Sequence, residues 1–224
     1  CADYNDPDVL ELMNSDLPVV TIDYVHHNCT AVSSNNIQGM EDLVKYIYQQ
    51  GHRKIAYIHG QENSYVTKGR LASFYRTMDE LGLEVPDEYI RTADYLETKE
   101  AARQTREILN LPDVPTCIIY PDDTALIGGR NVIIEMGLRI PRDISVAGYD
   151  GTRISQLLHP KLTTIRQNTE LIGSEAAKRL IGTIEKPRTT LVERVVIEGR
   201  WFCAFHLCLS SSESSDTYRF VLLN

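Results

Sequence analysis

The sequence predicts an α/β fold built from parallel sheets with helices on both faces. Between residues 17 and 199, short β-branched runs alternate with stretches whose apolar residues recur at helical spacing. The connections between these runs are short, which is typical of βαβ units. The chain has 224 residues, of which 42% are apolar, so it can form a sizeable core in one large domain or two small ones.

The first elements follow from local patterns. A β-branched run at residues 19–23 predicts a strand. A helix is expected over residues 36–50, because its apolar positions keep helical spacing, Asn35 can cap its start and Gly51 can end it in a left-handed turn. Residues 54–59 predict the next strand.

A second helix should follow a polar loop over residues 60–69, and Gly82 should end it. Its buried stripe is predicted to comprise Leu71, Phe74, Tyr75, Met78 and Leu81. Residues 89–93 predict a weak strand, and Thr98 can cap the helix that comes next.

The later elements continue the alternation. Residues 116–120 predict a buried strand, and the acidic turn at Asp122 and Asp123 starts a helix that Gly137 ends. The remaining predicted elements are strands at 144–149, 162–165 and 191–198 and a helix at about 170–184.

Charge and cysteine usage narrow the function classes. A net charge of −8 argues against a surface that clamps nucleic acid, because phosphate binding needs a positive patch. Five scattered cysteines form no disulfide framework, so the expected compartment is the reducing cytoplasm. No apolar run approaches the roughly 20 residues that span a membrane.

The sequence contains no phosphate-binding loop, dinucleotide-binding turn or nucleophile elbow, and its six histidines lack the spacing of metal ligands. We therefore expect no catalytic residues, metal or cofactor. A catalytic site assembled from distant residues stays open as an alternative.

Polar residues follow several of the predicted strands. In parallel sheets, ligands bind beyond the carboxyl ends of the strands, which nominates Asp23, His59, Asp122 and Asp150. The alternative is that each side chain only caps the next helix or turn.

Residues 200–224 break the pattern, since they hold the only Trp and three of the four Phe beside a cluster of serines. This tail could be an extra packed strand or an interaction segment. The favoured interpretation is that it lies outside the design of the domain.

Four phrases carry more specific information: residues 51–58 (GHRKIAYI), 68–74 (KGRLASF), 140–150 (IPRDISVAGYD) and 162–167 (LTTIRQ). Their order and spacing closely resemble the LacI family of bacterial transcription repressors, over roughly residues 1–199. The resemblance implies two doubly wound subdomains joined by three crossovers, as in periplasmic binding proteins, with a small effector in the cleft between them.

The same resemblance implies the domain boundaries. Residues 1–60 plus 168–187 are expected in the first subdomain, 61–167 plus 188–199 in the second, and 200–224 in the atypical tail. Hinges are expected near Gly60, Gln167 and Pro187. Because the chain opens at Cys1, we expect an N-terminal truncation that leaves the first subdomain incomplete and omits the helix-turn-helix domain for operator DNA.

Matching the family residue by residue yields a ligand-binding set of Asp23, Arg70, Tyr95, Asp122, Asp150 and Gln167. Carboxylates accept hydrogen bonds from hydroxyls, Arg70 donates from a rigid fork and Tyr95 offers a face to a sugar ring. Asp122 departs from the family, which usually has Asn there. It could cap its helix, just as Arg70 could pair with a surface carboxylate and Tyr95 could be core.

The resemblance implies a homodimeric, non-enzymatic core that senses a small molecule, most often a sugar or nucleobase, with a carbohydrate as the favoured effector. The first alternative is a solute-binding protein of a sugar ABC transporter, and the second is an enzyme on the same fold.

Overall fold

The computed structural model describes residues 6–186 and 191–202, which form two sheets and seven helices. The helices are α1 (Pro7–Asn14), α2 (Asn36–Gln49), α3 (Tyr65–Glu80), α4 (Thr98–Leu109), α5 (Asp123–Glu135), α6 (Arg153–Leu157) and α7 (Thr169–Glu185). The strands are β1 (Val20–Ile22), β2 (Thr30–Ser34), β3 (Ile55–His59), β4 (Ile90–Thr92), β5 (Cys117–Ile119), β6 (Ser145–Asp150), β7 (Thr163–Arg166), β8 (Arg194–Ile197) and β9 (Arg200–Phe202).

The two sheets differ in size. The smaller sheet has the order β1-β2-β8, and the larger has the order β4-β3-β5-β6-β7-β9. All pairs are parallel except β7 with β9, which is antiparallel. The predicted α/β class with parallel sheets is confirmed.

The larger sheet is the middle layer of three. Successive residues of β3 alternate between two cores: Ala56 and Ile58 pack with α4 and α5, whereas Ile55 and Tyr57 pack with α2 and α3. All four side chains are fully buried. A strand that is buried on both faces has no polar side, which explains the continuous apolar run in its sequence.

The smaller sheet has a smaller core. Val32 of β2 and Ile197 of β8 pack with Ile172 and Ala176 of α7. Val196, which neighbours Ile197 on β8, is 55% exposed. A site between the two sheets therefore has a sheet packed on both faces on one side and a sheet with a small core on the other.

The chain crosses between the sheets at positions that partly correct the expected boundaries. The first crossover was expected near Gly60, but β3 pairs with β4 and β5, so the chain crosses between β2 and α2, at residues 34–36. Likewise, residues 188–199 were expected in the second subdomain, but β8 pairs with β2 in the smaller sheet. Strand pairing, which is a long-range property, decides both positions.

The second crossing, from β7 to α7, coincides with the expected hinge at Gln167. The third lies between β8 and β9, at residues 197–200. The expected hinge at Pro187 lies outside the described residues.

Several local expectations are corrected as well. Helices α1 and α6 and strand β2 were not predicted from the sequence. Helix α3 begins at Tyr65 with Ser64 as its cap, so it takes in half of the predicted loop, and Tyr75 of the predicted buried stripe is 44% exposed. Glu97, not Thr98, caps α4.

Part of the predicted tail belongs to the fold, because residues 200–202 form β9 on the edge of the larger sheet. This corrects the interpretation that the tail as a whole lies outside the domain. Residues 203–224 are outside the described residues. None of the helices described is long and apolar enough to cross a membrane.

Gly128 allows the close contact between α4 and α5. A Cβ on Gly128 would lie 2.1 Å from the carbonyl oxygen of Thr98, so Gly128→Ala must push the two helices apart. We expect it to lower the free energy of unfolding by about 1–3 kcal/mol in urea denaturation.

Gly182→Ala on α7 is the matched control, because a Cβ there would meet nothing within 4 Å. This variant should be unchanged or gain about 0.5–1 kcal/mol of helix stability. Equal stabilities of the two variants would contradict the close packing of α4 on α5.

Candidate functional site

A cleft of about 700 Å³ lies between the two sheets. It is lined by Ile22, Asp23, Asp150, Gly151, Thr152, Arg153, Arg166, Gln167, Thr169, Ile172 and Gly173. Asp23 follows β1, Asp150 ends β6 and Gln167 follows β7, so the cleft lies at the carboxyl ends of the strands, as the rule for parallel sheets predicts.

Asp150 has polar partners from two other segments of the chain. The Gln167 side-chain amide donates a hydrogen bond of 2.5 Å to Asp150 Oδ1, and the Gln167 backbone N–H donates to the Asp150 carbonyl at 3.2 Å. Arg70 Nη2 lies 4.0 Å from the same Oδ1. Burial raises the pKa of Asp150, and the charge of Arg70 partly offsets this rise.

Arg70 lies behind Asp150 and is only 2% exposed. Its Nε donates to Asn36 Oδ1 at 2.8 Å, and its Nη1 donates to the Pro121 carbonyl at 2.9 Å. The guanidinium carbon also lies 3.4 Å from the centroid of the Tyr149 ring. These contacts hold the guanidinium on several sides and leave Nη2 directed at Asp150.

Asp23 reaches the cleft from the smaller sheet. Its Oδ1 accepts a hydrogen bond of 3.1 Å from the backbone N–H of Ser34, the last residue of β2. Its φ of 55° is in the left-handed region, which is uncommon for a residue other than glycine. Burial raises the pKa of Asp23, while the Ser34 N–H and the charge of Arg70 lower it.

Asn36 is a site residue that the sequence analysis missed. It is the first residue of α2, where it accepts from Arg70 and donates from Nδ2 to the Ser34 carbonyl at 3.1 Å. It thus connects a crossover between the sheets to the buried guanidinium. A polar residue that follows a strand end was the available signal, but β2 itself was not predicted.

Tyr95 and Asp122 do not line the cleft. The hydroxyl groups of Tyr95 and Thr67 lie 2.8 Å apart, and the Tyr95 ring packs on Gly60, where a Cβ would lie 2.3 Å from a ring carbon. Asp122 is 1% exposed, and it accepts from Ala125 N–H at 2.8 Å and from Leu96 N–H at 2.7 Å. Backbone donors therefore occupy both of its carboxylate oxygens, as expected for the cap that was the alternative interpretation of this residue.

Asp123, the next residue, is the second one missed. Its Oδ2 accepts from the backbone N–H and the hydroxyl of Thr152 at 2.7 and 2.8 Å, which ties the start of α5 to the turn after Asp150. The approach needs a glycine at position 148, because a Cβ there would lie 2.6 Å from Asp123 Oδ1. Burial raises the pKa of Asp123 to about 6, although hydrogen bonds from Thr164 and Thr152 oppose this rise.

Comparison with known proteins identifies a family whose members resemble this chain. Residues 44–201 match the model of the periplasmic-binding-protein-like domain. The HTH-type transcriptional repressor PurR of Escherichia coli O139:H28 (strain E24377A / ETEC) is 32% identical over 209 residues. The match covers 89% of this chain and 61% of that repressor, so the chain spans about three fifths of the length of the curated relatives it matches.

Solved structures show the same fold. A regulatory protein of the LacI family from Chloroflexus aggregans is 26% identical, with a TM-score of 0.80 over 92% of this chain and 75% of that chain. A LacI family transcriptional regulator from Enterococcus faecium with bound ribose is 22% identical, with a TM-score of 0.77 over 87% of this chain and 71% of that chain.

The raised pKa of Asp123 predicts a specific dependence of stability on pH. The folded-state pKa of about 6 exceeds the ordinary value of 3.8, so folding favours the protonated form. The contribution of this proton to stability is complete below about pH 4 and is lost as the pH rises through about 6. Between these limits, the free energy of unfolding of the wild type should fall relative to that of Asp123→Asn.

Urea denaturation of both proteins at intervals from pH 4 to 7 measures this difference, and Asp79→Asn on the exposed surface of α3 is the control. Parallel pH profiles for wild type and Asp123→Asn would contradict the burial of an ionisable carboxyl at this position.

The contacts of Asp122 predict a structural role. Asp122→Ala should lower the free energy of unfolding by about 1–2 kcal/mol, because α5 loses its cap and Leu96 N–H loses its acceptor. Asp122→Asn retains a carbonyl oxygen for the cap and should retain more of the stability. Denaturation midpoints test this ranking, and an alanine variant as stable as the wild type would overturn it.

Proposed function

The chain belongs to the family of periplasmic-binding-protein-like domains found in LacI-type regulators, and we propose that it forms the effector-binding core of a bacterial transcriptional repressor. One observation carries this proposal: Asp150 and Gln167 meet at a cleft that Asp23 enters from the other sheet, and the buried guanidinium of Arg70 lies 4.0 Å behind Asp150. A small molecule in this cleft can therefore bridge the two sheets.

The donor and acceptor inventory suits a hydroxylated ligand. Asp23 and Asp150 accept hydrogen bonds from hydroxyls, and bonds to charged groups are stronger than neutral ones. Gln167 adds a side-chain amide beside Asp150, while the buried guanidinium of Arg70 lies behind that carboxylate. The ribose in the Enterococcus faecium regulator supports a carbohydrate as the effector of this chain too.

The mechanism that we infer is a shift between two arrangements of the sheets. The crossovers at residues 34–36, 166–168 and 197–200 are the hinges in this proposal. A ligand that contacts both Asp23 and Asp150 stabilises the arrangement in which both reach it, and only this difference in affinity moves the equilibrium.

We assign the contact with operator DNA to a helix-turn-helix domain outside the 224 residues, in line with the name of the PurR relatives. A net charge of −8 fits a core that senses and pairs without touching DNA. In this proposal, the protein works as a homodimer in the cytoplasm and catalyses no reaction. The names of the relatives favour this function over a transporter's solute-binding protein.

Thermal-shift screening of the purified chain with neutral sugars, sugar phosphates and nucleobases tests the proposal, and titration of the best compound measures its affinity. Asp150→Asn should weaken that affinity about 10- to 100-fold, since a hydrogen bond to a charged group contributes about 1.5–3 kcal/mol. Asp79→Asn, which removes an exposed carboxylate on α3, should leave it unchanged.

Unchanged affinity in Asp150→Asn would remove Asp150 from the site. A panel in which no compound raises the melting temperature would overturn the effector-binding function itself.

A further inference from the structure

The mouth of the cleft carries two exposed arginines, Arg153 and Arg166. Within residues 6–186 and 191–202, neither guanidinium forms an ion pair within 4.0 Å. Other exposed arginines do pair with carboxylates: Arg103 with Glu100, Arg139 with Asp143 and Arg106 with Glu135. The cleft therefore presents two cations whose charges are available to a ligand.

Both arginines lie in regular secondary structure near Asp150. Arg166 is the register partner of Asp150 across β6 and β7. Its stem lies against Gly151, where a Cβ would be 2.4 Å from the Cβ of Arg166. Arg153 opens α6 directly after Thr152, which Asp123 fixes by two hydrogen bonds. The backbone thus places both arginines in the cleft lining, close in the fold to the carboxylate that we assign to the effector.

The amino end of helix α7 adds partial positive charge to the cleft. It has 17 residues, and its first residue, Thr169, lines the cleft. The amino end of a helix carries partial positive charge, which favours a nearby anion. Glu170 in the same turn is exposed, but it is not among the lining residues.

The lining residues thus offer two carboxylates, Asp23 and Asp150, and two guanidinium groups. A neutral sugar satisfies the carboxylates through its hydroxyls and leaves the arginines in water. A ligand that also carries an anionic group can bind both the carboxylates and the arginines, because arginine binds phosphate and carboxylate through two parallel hydrogen bonds. A volume of about 700 Å³ is ample for such a monosaccharide derivative.

We propose that the effector is a hydroxylated anion, namely a sugar phosphate or a sugar acid, whose anionic group binds Arg153 and Arg166. This proposal rests on the proposed function, since it places the ligand in the same cleft. It adds a preference for anionic ligands, which the contacts of Asp23, Asp150 and Gln167 do not provide.

Isothermal titration of the purified chain with matched ligands tests it: glucose, glucose 6-phosphate and gluconate, then ribose and ribose 5-phosphate, with inorganic phosphate alone. In at least one series the anionic member should bind at least 10-fold tighter than its neutral counterpart. Tighter binding of the phosphate or of the acid identifies the anionic group. Raising the salt concentration should weaken the anionic member more than the neutral one.

The variants Arg153→Gln and Arg166→Gln should each reduce the preference for the anionic member, and the double variant should bring the ratio of affinities close to one. Arg142→Gln is the matched control, because Arg142 is an exposed arginine outside the cleft. It should keep the wild-type ratio.

The outcomes separate this proposal from the function on which it rests. If neutral sugars bind and their anionic counterparts bind no tighter, the specificity is wrong and the effector-binding function stands. A preference that survives in the double variant, or inorganic phosphate that binds as tightly as the sugar phosphates, also overturns the specificity. If no member of this panel binds, the specificity is wrong, and the wider thermal-shift panel decides whether the effector-binding function fails as well.

Discussion

The burial of one cation, the guanidinium of Arg70, organises the centre of the molecule. A charge that is 2% exposed is stable only if nearby groups replace its water, and here four residues from three segments of the chain do so. Asn36 comes from α2, Pro121 follows β5, and Tyr149 and Asp150 come from β6. Removal of any of these partners would leave part of the charge uncompensated. The need to surround Arg70 therefore fixes the larger sheet, its helices and Asp150 in one relative arrangement.

In the proposed mechanism, that geometry divides the site into a fixed side and a side that can approach it. Arg70, Asp150 and Gln167 are joined to each other around the end of the larger sheet, whose cores lie on both faces. Asp23 belongs to the smaller sheet, with α7 as its main packing partner. Asn36, which contacts Arg70, and Gln167, which contacts Asp150, lie on two of the crossovers that the proposed mechanism uses as hinges. Binding therefore needs no long pathway to reach the hinges.

The sequence predicted the class of fold and the edge of the sheets where the site lies, because periodicity and strand-end residues are local signals. It failed where the answer depended on pairing between distant strands. β2, with small and hydroxylated residues and no alternation, was not predicted, and the family resemblance placed the first crossover one strand too late. Without β2, nothing drew attention to Asn36.

Adjacent residues at the start of α5 show a second limit. Asp122 and Asp123 are chemically identical, and either could cap a helix or reach a cleft. The structure gives Asp122 the cap and turns Asp123 toward Thr152, in the space that Gly148 leaves open. The strand β6, which contains Gly148, decides which of the two neighbouring carboxylates reaches Thr152. That strand is distant in sequence from Asp122 and Asp123.

Two of the three non-glycine residues with positive φ in the described part of the chain are the carboxylates of the cleft; the third is Leu96. Asp23 and Asp150 both have positive φ, at 55° and 101°, which costs each residue on the order of 1–3 kcal/mol. Hydrogen bonds offset this cost: Ser34 N–H holds the side chain of Asp23, and Gln167 holds Asp150 through its amide and its backbone. Each of these holding groups belongs to a crossover segment. In the proposed mechanism, a change in the angle between the sheets therefore alters the support of both carboxylates, and the same coupling lets a ligand that binds them favour one angle over another.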